Sequence, residues 1–172
     1  MAENQNGAKQ SDPNSPQVGV IMQYVKDLSF ENPNAPQSFN IPEGEKPNIE
    51  VNINVNGRKI GEDTEGTSTY EVELKVTASS EVTGSKAFVV ELVYAGLFAL
   101  KNMREDALQP FMLVQAPVML FPFARRVIAD ATRDGGYPPL LLDPIDFASL
   151  FQQQAAQETK KTPVVDVAAK PN

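Results

Sequence analysis

The chain has 172 residues, 41% of them hydrophobic, with 15 basic against 22 acidic side chains, a net charge of −7, no cysteine and no histidine. That is enough chain for one cored domain, but without His or Cys it builds no Ser–His dyad, thiol nucleophile, disulfide or ordinary zinc site, and its acidity opposes electrostatic capture of nucleic acid or anionic lipid. No basic-then-apolar leader opens the sequence, and its apolar runs are broken before the roughly 20 residues of a spanning helix, as residues 87–100 are by Glu91, so a cytoplasmic protein without membrane insertion is expected, with a basic surface as its natural partner.

Residues 1–17 are Asn, Gln, Ser and Pro with almost no apolar content, which predicts a disordered N-terminal arm before a domain at 18–155. Val18, Val20, Met22, Tyr24, Leu28 and Phe30 then share one parity and Gln23, Asp27, Ser29 and Glu31 the other, the pattern of a half-buried strand, with Ile21 and Val25 interrupting its polar face. Four prolines between residues 31 and 47 deny a sheet its donors and predict a long crossover loop. Its one large aromatic, Phe39, either lines a functional surface or pins the loop to the core; the sequence supports both readings.

Ile49, Val51, Ile53 and Val55 alternate with asparagines and Glu50 to give a second strand, ended by the turn pair Asn56-Gly57, and residues 58–68 read as a polar loop. The third strand alternates Tyr70, Val72, Leu74, Val76 and Ala78 with Glu71, Glu73, Lys75 and Thr77. Gly84 marks the turn into a fourth, which sends Phe88, Val90, Leu92 and Tyr94 one way and Ala87, Val89, Glu91 and Val93 the other and so is apolar on both faces. Residues 101–116 predict a short helix or an irregular segment.

A long amphipathic helix follows, with Leu120, Phe123, Ala124, Val127, Ile128 and Ala131 on one stripe and Arg126, Asp130, Arg133 and Asp134 opposite. Gly135-Gly136 caps it and Pro138-Pro139 forbids continuation. A second helix is expected from Asp143 as cap with Pro144 in its first position, placing Phe147, Leu150 and Phe151 on one face. Residues 156–172 predict a flexible C-terminal tail. The fold class is therefore α+β: a four-stranded antiparallel sheet with a long crossover loop, packed by two C-terminal helices.

The chemistry points away from catalysis. Gly135-Gly136 follows a helix where a phosphate-cradling loop would precede one. Glu71 and Glu73 share a strand face, but with nothing apolar to separate their pKa values a solvated sheet face is the better reading than an acid–base pair. No enzyme, metal or cofactor is expected. The apolar surplus of the sheet, the helix stripe and the fourth strand implies either a homo-oligomer or apolar surface offered to ligands, and patterning alone favours the former.

The runs KDLSFENPNAP from Lys26, YEVELKVTAS from Tyr70, AFVVELVYAGLF from Ala87, LFPFAR from Leu120 and GGYPPLLLDPIDFASLF from Gly135 together resemble the SecB family of bacterial protein-export chaperones over residues 18 to 151. The resemblance implies an ATP-independent holdase that keeps unfolded precursor proteins translocation-competent in an apolar groove and delivers them to the SecA ATPase. It implies a homotetramer, a dimer of dimers, with Phe123 and Val127 at the interface and Phe88, Val90 and Leu92 beneath them. Groove residues carried over are Phe39, Ile49, Val51, Ile53, Phe147 and Phe151; SecA-docking residues are Asp27, Glu31, Val89 and Glu91. Two departures stand out: the crossover loop lacks the family's frequent tryptophan and has Ile41 nearby, and the tail opens with Lys160 and Lys161 where some relatives are acidic. Within the family, a chaperone dedicated to a single partner such as an antitoxin is the alternative, and outside it a structural homo-oligomer without client binding.

Overall fold

The computed structural model describes residues 14–159, with side chains through residue 153. Residues 1–13 of the expected arm and 160–172 of the expected tail lie outside the described residues. Four long strands, β1 (Gln17–Glu31), β2 (Asn48–Glu62), β3 (Ser68–Val82) and β4 (Ser85–Lys101), form one antiparallel sheet in the order β1-β4-β3-β2. Three helices follow: α1 (Glu105–Pro110), α2 (Ala116–Asp134) and α3 (Phe147–Thr159), the last running past the expected domain end at 155. The crossover from β1 to β2 passes outside the meander of β2, β3 and β4.

Expectation and structure part first inside β1. Two bulges, at Ile21 and Lys26, each add one residue against β4, so that Val20 pairs with Phe98 but Met22 with Leu97, and Val25 pairs with Tyr94 but Asp27 with Val93. Each bulge inverts the alternation, and the second restores what the first reversed. Val18, Val20, Leu28 and Phe30 therefore share the helix-facing side as the sequence predicts. Between the bulges Met22 and Tyr24 turn to the outer face, and Gln23 and Val25 turn inward.

β2 also runs further than expected. Asn56-Gly57 is not a turn, because the strand continues through it to Glu62 and the chain reverses at residues 63–67, where the Asp63 carboxylate accepts the backbone N–H groups of Glu65 and Thr67, each at 2.9 Å. Gly57 serves packing instead: a Cβ there would lie 2.8 Å from Met112 Sδ. The turn between β3 and β4 is the two-residue Thr83-Gly84, both at positive φ (50° and 76°), the twist a tight hairpin requires.

Residues 101–116 hold α1 and a π-helical stretch, Phe111–Gln115, which runs directly into α2. The resulting helix, Glu105–Asp134, is long and apolar enough by length and composition to cross a membrane, contrary to expectation; here Leu120, Ala124 and Ile128 are buried, and α2 packs over β3 and β4. At its end Gly135 N–H donates to Ala131 O (2.9 Å), Gly136 N–H to Arg133 O (3.0 Å) and Tyr137 N–H to Thr132 O (3.1 Å), with Gly136 at φ +92°. The last two bonds make this a Schellman cap. α3 starts at Phe147 and not beside Asp143; Asp146 does the capping, accepting the Ser149 N–H (3.0 Å) and hydroxyl (2.7 Å).

The core lies between the helix-facing side of β3 and β4 and the inner stripe of α2. Phe98 meets Phe111 edge-on at 5.5 Å, and Phe121 meets Phe147 edge-on at 5.9 Å. Thr132, fully buried, holds the returning chain: its hydroxyl donates to Ile128 O (3.0 Å) and accepts the Leu140 N–H (2.9 Å).

Candidate functional site

Three surfaces carry the expected functional residues, and the first is an apolar cleft of about 270 Å³ between the crossover loop, the hairpin end of the sheet and residues 137–141. Ile41 and Pro47 come from the loop, Ile49 from β2, Val82 and Phe88 from the hairpin strands, and Pro138 to Leu141 form the opposite wall. Pro138-Pro139 keeps this wall out of any sheet or helix. Leu140 is then half-buried, Leu141 is 65% exposed and Leu142 is buried, the alternation of an extended chain lying on a core.

Tyr137 holds the cleft together. Its hydroxyl lies 2.8 Å from Asn32 Oδ1, 2.8 Å from Ser38 Oγ and 3.0 Å from the Ala87 carbonyl oxygen, joining the start of the crossover loop, its short 3₁₀ turn (Gln37–Phe39) and β4. Its ring contacts Phe88 (4.9 Å) and Phe39 (5.3 Å). Phe39 is 45% exposed while its ring packs at a tilt on Tyr137, so both readings of this residue hold in part: it fastens the loop and still presents a face to solvent.

Of the six expected groove residues, Ile49 lines the cleft, and Val51, also exposed, continues from it along the helix-facing side of β2 to half-buried Ile53. That apolar path ends where Met112 sits on Gly57 and α3 packs against Phe111–Gln115. Phe151 is half-buried on α3. Phe147, 2% exposed and packed edge-on against Phe121, anchors α3 in the core and forms the floor of a separate apolar cleft of about 230 Å³ with Val118, Phe121, Pro122 and Ile145. Sequence reasoning passed over Tyr137, Pro138, Leu140 and Leu141, although a Leu triplet directly after Pro-Pro, unable to pair, was the available signal.

The outer face of the sheet, opposite the helices, is the second surface. Register sets Glu31 opposite Val89, Ser29 opposite Glu91 and Asp27 opposite Val93, so Asp27, Glu31, Val89 and Glu91 occupy one area of it. Asp27 and Glu31 are exposed; Glu91 also meets Lys75 at 3.3 Å.

Beside this area lies a charge cluster that replaces the solvated face expected for Glu71. Only 4% exposed, Glu71 receives Tyr24 Oη and Lys26 Nζ (3.0 Å) from β1 and Arg58 (Nε 2.8 Å, Nη2 2.6 Å) from β2, while Lys26 also binds Glu73. Ala95 is the small residue of β4 opposite both Tyr24 and Glu73, which lets side chains from β1 reach β3 across it. The Tyr24 hydroxyl, then Lys26 and Arg58, hold the Glu71 carboxyl down at about 2 against the burial that would raise it, and the same bond pushes the Tyr24 phenol up.

The third surface is the open side of α2. Phe123 is 45% exposed although it stacks on Tyr94 (6.3 Å, 7° between planes), Val127 is half-buried, and Met119 is exposed one turn before Phe123, as are Val20, Val25 and Leu28 on neighbouring β1. Phe88, Val90 and Leu92, expected beneath Phe123 and Val127, are buried on the inner side of β4. They are enclosed within the protomer, Phe88 between Phe30 (5.8 Å) and Tyr137, because α2 and the chain after it already cover the inner side of β4.

The family model described as preprotein translocase subunit SecB matches residues 11–158. Among curated proteins, the protein-export protein SecB of Azorhizobium caulinodans is 46% identical over 156 residues, covering 91% of this chain and 93% of its own. That of Rhizorhabdus wittichii is 53% identical over 144 residues, covering 84% and 82%. In solved structures, a SecB-like chaperone of Mycobacterium tuberculosis, in complex with a peptide from an antitoxin, superposes with a TM-score of 0.56 at 17% identity, covering 74% of this chain and 90% of its own, a likeness of fold. With a sheet, crossover and helix pair of the kind that resemblance implies, the chain belongs to the SecB family of protein-export chaperones.

Proposed function

We propose that this chaperone is an ATP-independent holdase that takes unfolded precursor polypeptides into the cleft at Ile41, Ile49, Tyr137 and Leu141 and along the helix-facing side of β2. The observation that carries this reading is an exposed apolar path, Leu141 to Ile49 to Val51, with few polar donors along it. Such a surface captures diverse chains by burying whatever apolar segments they expose. The protein acts in the cytoplasm as a dimer of dimers whose interface is the exposed side of α2, around Phe123 and Val127. It hands clients to SecA through Asp27, Glu31, Val89 and Glu91, an apolar side chain among carboxylates. A tetramer carries 4 × −7 = −28 charges, which attract a basic partner at long range.

The test is aggregation of a denatured precursor with and without the protein. Capture persists without nucleotide and at high salt, which screens charges and strengthens apolar contact, and it weakens in Ile49→Asp and Leu141→Asp. Salt-induced release, or full capture by both variants, refutes the cleft. A structural oligomer would suppress no aggregation, and a dedicated chaperone would hold one partner and leave denatured precursors to aggregate.

A further inference from the structure

A buried carboxylate with partners from two other strands is out of place on a sheet face that no layer covers among the described residues, and its position relative to the second bulge of β1 explains it. Lys26 is the extra residue of that bulge, and Asp27 is the next one along. Paired without a bulge, Lys26 would face Val93, and Asp27, Ser29 and Glu31 would all rotate to the helix side, since a one-residue slip moves every side chain to the opposite face. The Lys26 ammonium is drawn to Glu71 and Glu73, and Tyr24, two residues back, is drawn to the same Glu71, which Arg58 secures from the far side. The bulge is thus tied on one flank by a charge cluster spanning the sheet and on the other by Phe30 against Phe88.

We infer that Tyr24, Lys26, Glu71 and Arg58 form a positioning clamp for the partner-docking face, fixing the bulge so that Asp27 and Glu31 stand beside Glu91 and Val89 in one fixed arrangement. This rests on the reading of those four residues as the SecA contact. None of the clamp residues needs to touch SecA; they act through the register of β1. The clamp also keeps the Lys26 charge turned into the sheet, so the neighbouring surface is read as acidic.

The test is binding of purified SecA to the full-length tetramer, with tetramer mass and client capture followed in parallel. Lys26→Met removes a cation from an acidic neighbourhood, so a pure charge account predicts tighter binding of a basic partner, whereas the clamp predicts weakening of about tenfold. Lys26→Arg keeps the bond to Glu71 and binds like the wild type. Glu71→Gln weakens SecA as Lys26→Met does, and in both variants the backbone amides from Tyr24 to Glu31 exchange faster, with client capture unchanged. Asp27→Lys separates the two levels. If it loses SecA while Lys26→Met binds as tightly as the wild type or tighter, the clamp is refuted and the docking reading survives. If Asp27→Lys itself binds normally, the docking reading fails and the clamp falls with it.

Discussion

The ring of Phe39 rests on Gly136: a Cβ at residue 136 would come within 2.9 Å of Phe39 Cε1, at a backbone φ of +92° that L side chains rarely adopt. The helix cap and the seat of the crossover loop are therefore one residue. Gly136→Ala should cost about 1–2 kcal/mol from the strained conformation alone and displace Phe39 as well, so urea unfolding shows a lower midpoint and client affinity falls with it. Phe39→Ala separates the two effects. It loses client affinity while the midpoint moves little, because nearly half of the ring faces solvent; a large loss of thermal stability would instead make Phe39 a core residue.

Tyr137→Phe tests the tether of the cleft. The tilted ring contacts with Phe39 and Phe88 survive, but Asn32, Ser38 and the Ala87 carbonyl lose a shared partner. Asn32 and Ser38 keep their mutual bond (3.0 Å), so the expected cost is about 1 kcal/mol for the lost tether to the Ala87 carbonyl, read by thermal unfolding, together with faster amide exchange in the crossover loop.

Thr132→Val is nearly isosteric and removes the acceptor of the Leu140 N–H. An unsatisfied amide there costs about 1–3 kcal/mol, and Leu141, one residue on, loses its support. Stability and client capture should fall together, and a variant as stable as the wild type would show that the Leu140 wall holds itself in place.

Glu71 gives a pH signature. Its folded pKa of about 2 lies below the ordinary 4.5, so its contribution is fully present above pH 4.5 and disappears as pH falls through that value towards 2. After allowance for screening by solvent the contribution is on the order of 1–2 kcal/mol. Denaturant unfolding from pH 6 down to 2.5 should therefore show a steeper loss in the wild type than in Glu71→Gln, with the curves converging at the acid end; parallel curves would deny the carboxylate its role.

Phe123→Asp addresses assembly. Because Phe123 is 45% exposed on α2, the charge is tolerated within a protomer and rejected in an apolar interface, where an unpaired ion costs at least several kcal/mol, by the usual burial penalty. Light scattering should find a mass near 4 × 18.8 kDa for the wild type and near 2 × 18.8 kDa for the variant. An unchanged mass would place the interface elsewhere.

Much of this architecture was legible because apolar spacing reports which side of an element is buried. The stripe of α2, the alternation in β3 and β4 and the glycine cap were readable for that reason. What escaped depended on neighbours distant in sequence. The bulges of β1 exist only against β4, and because they cancel, Leu28 and Phe30 fell on the expected side while Met22 and Tyr24 between them did not. Asn56-Gly57 has turn chemistry, but Met112 fills the space over Gly57 and the strand carries on. Glu71 looked solvated because its partners, Tyr24, Lys26 and Arg58, sit 47, 45 and 13 residues away. Likewise the helical face of Phe147 could not show that its neighbour is Phe121.

The strand order β1-β4-β3-β2 has a consequence in time. β2, β3 and β4 join neighbours in sequence and close through short turns, whereas Leu28 of β1 pairs with Leu92 only after two whole strands have been made in between. Closing that distance costs chain entropy before any contact rewards it, so the first strand to leave the ribosome is expected to be the last to join the sheet. The surface where Asp27 and Glu31 stand beside Val89 and Glu91 therefore comes into being only when the domain is complete, and a chain still under synthesis has no such surface.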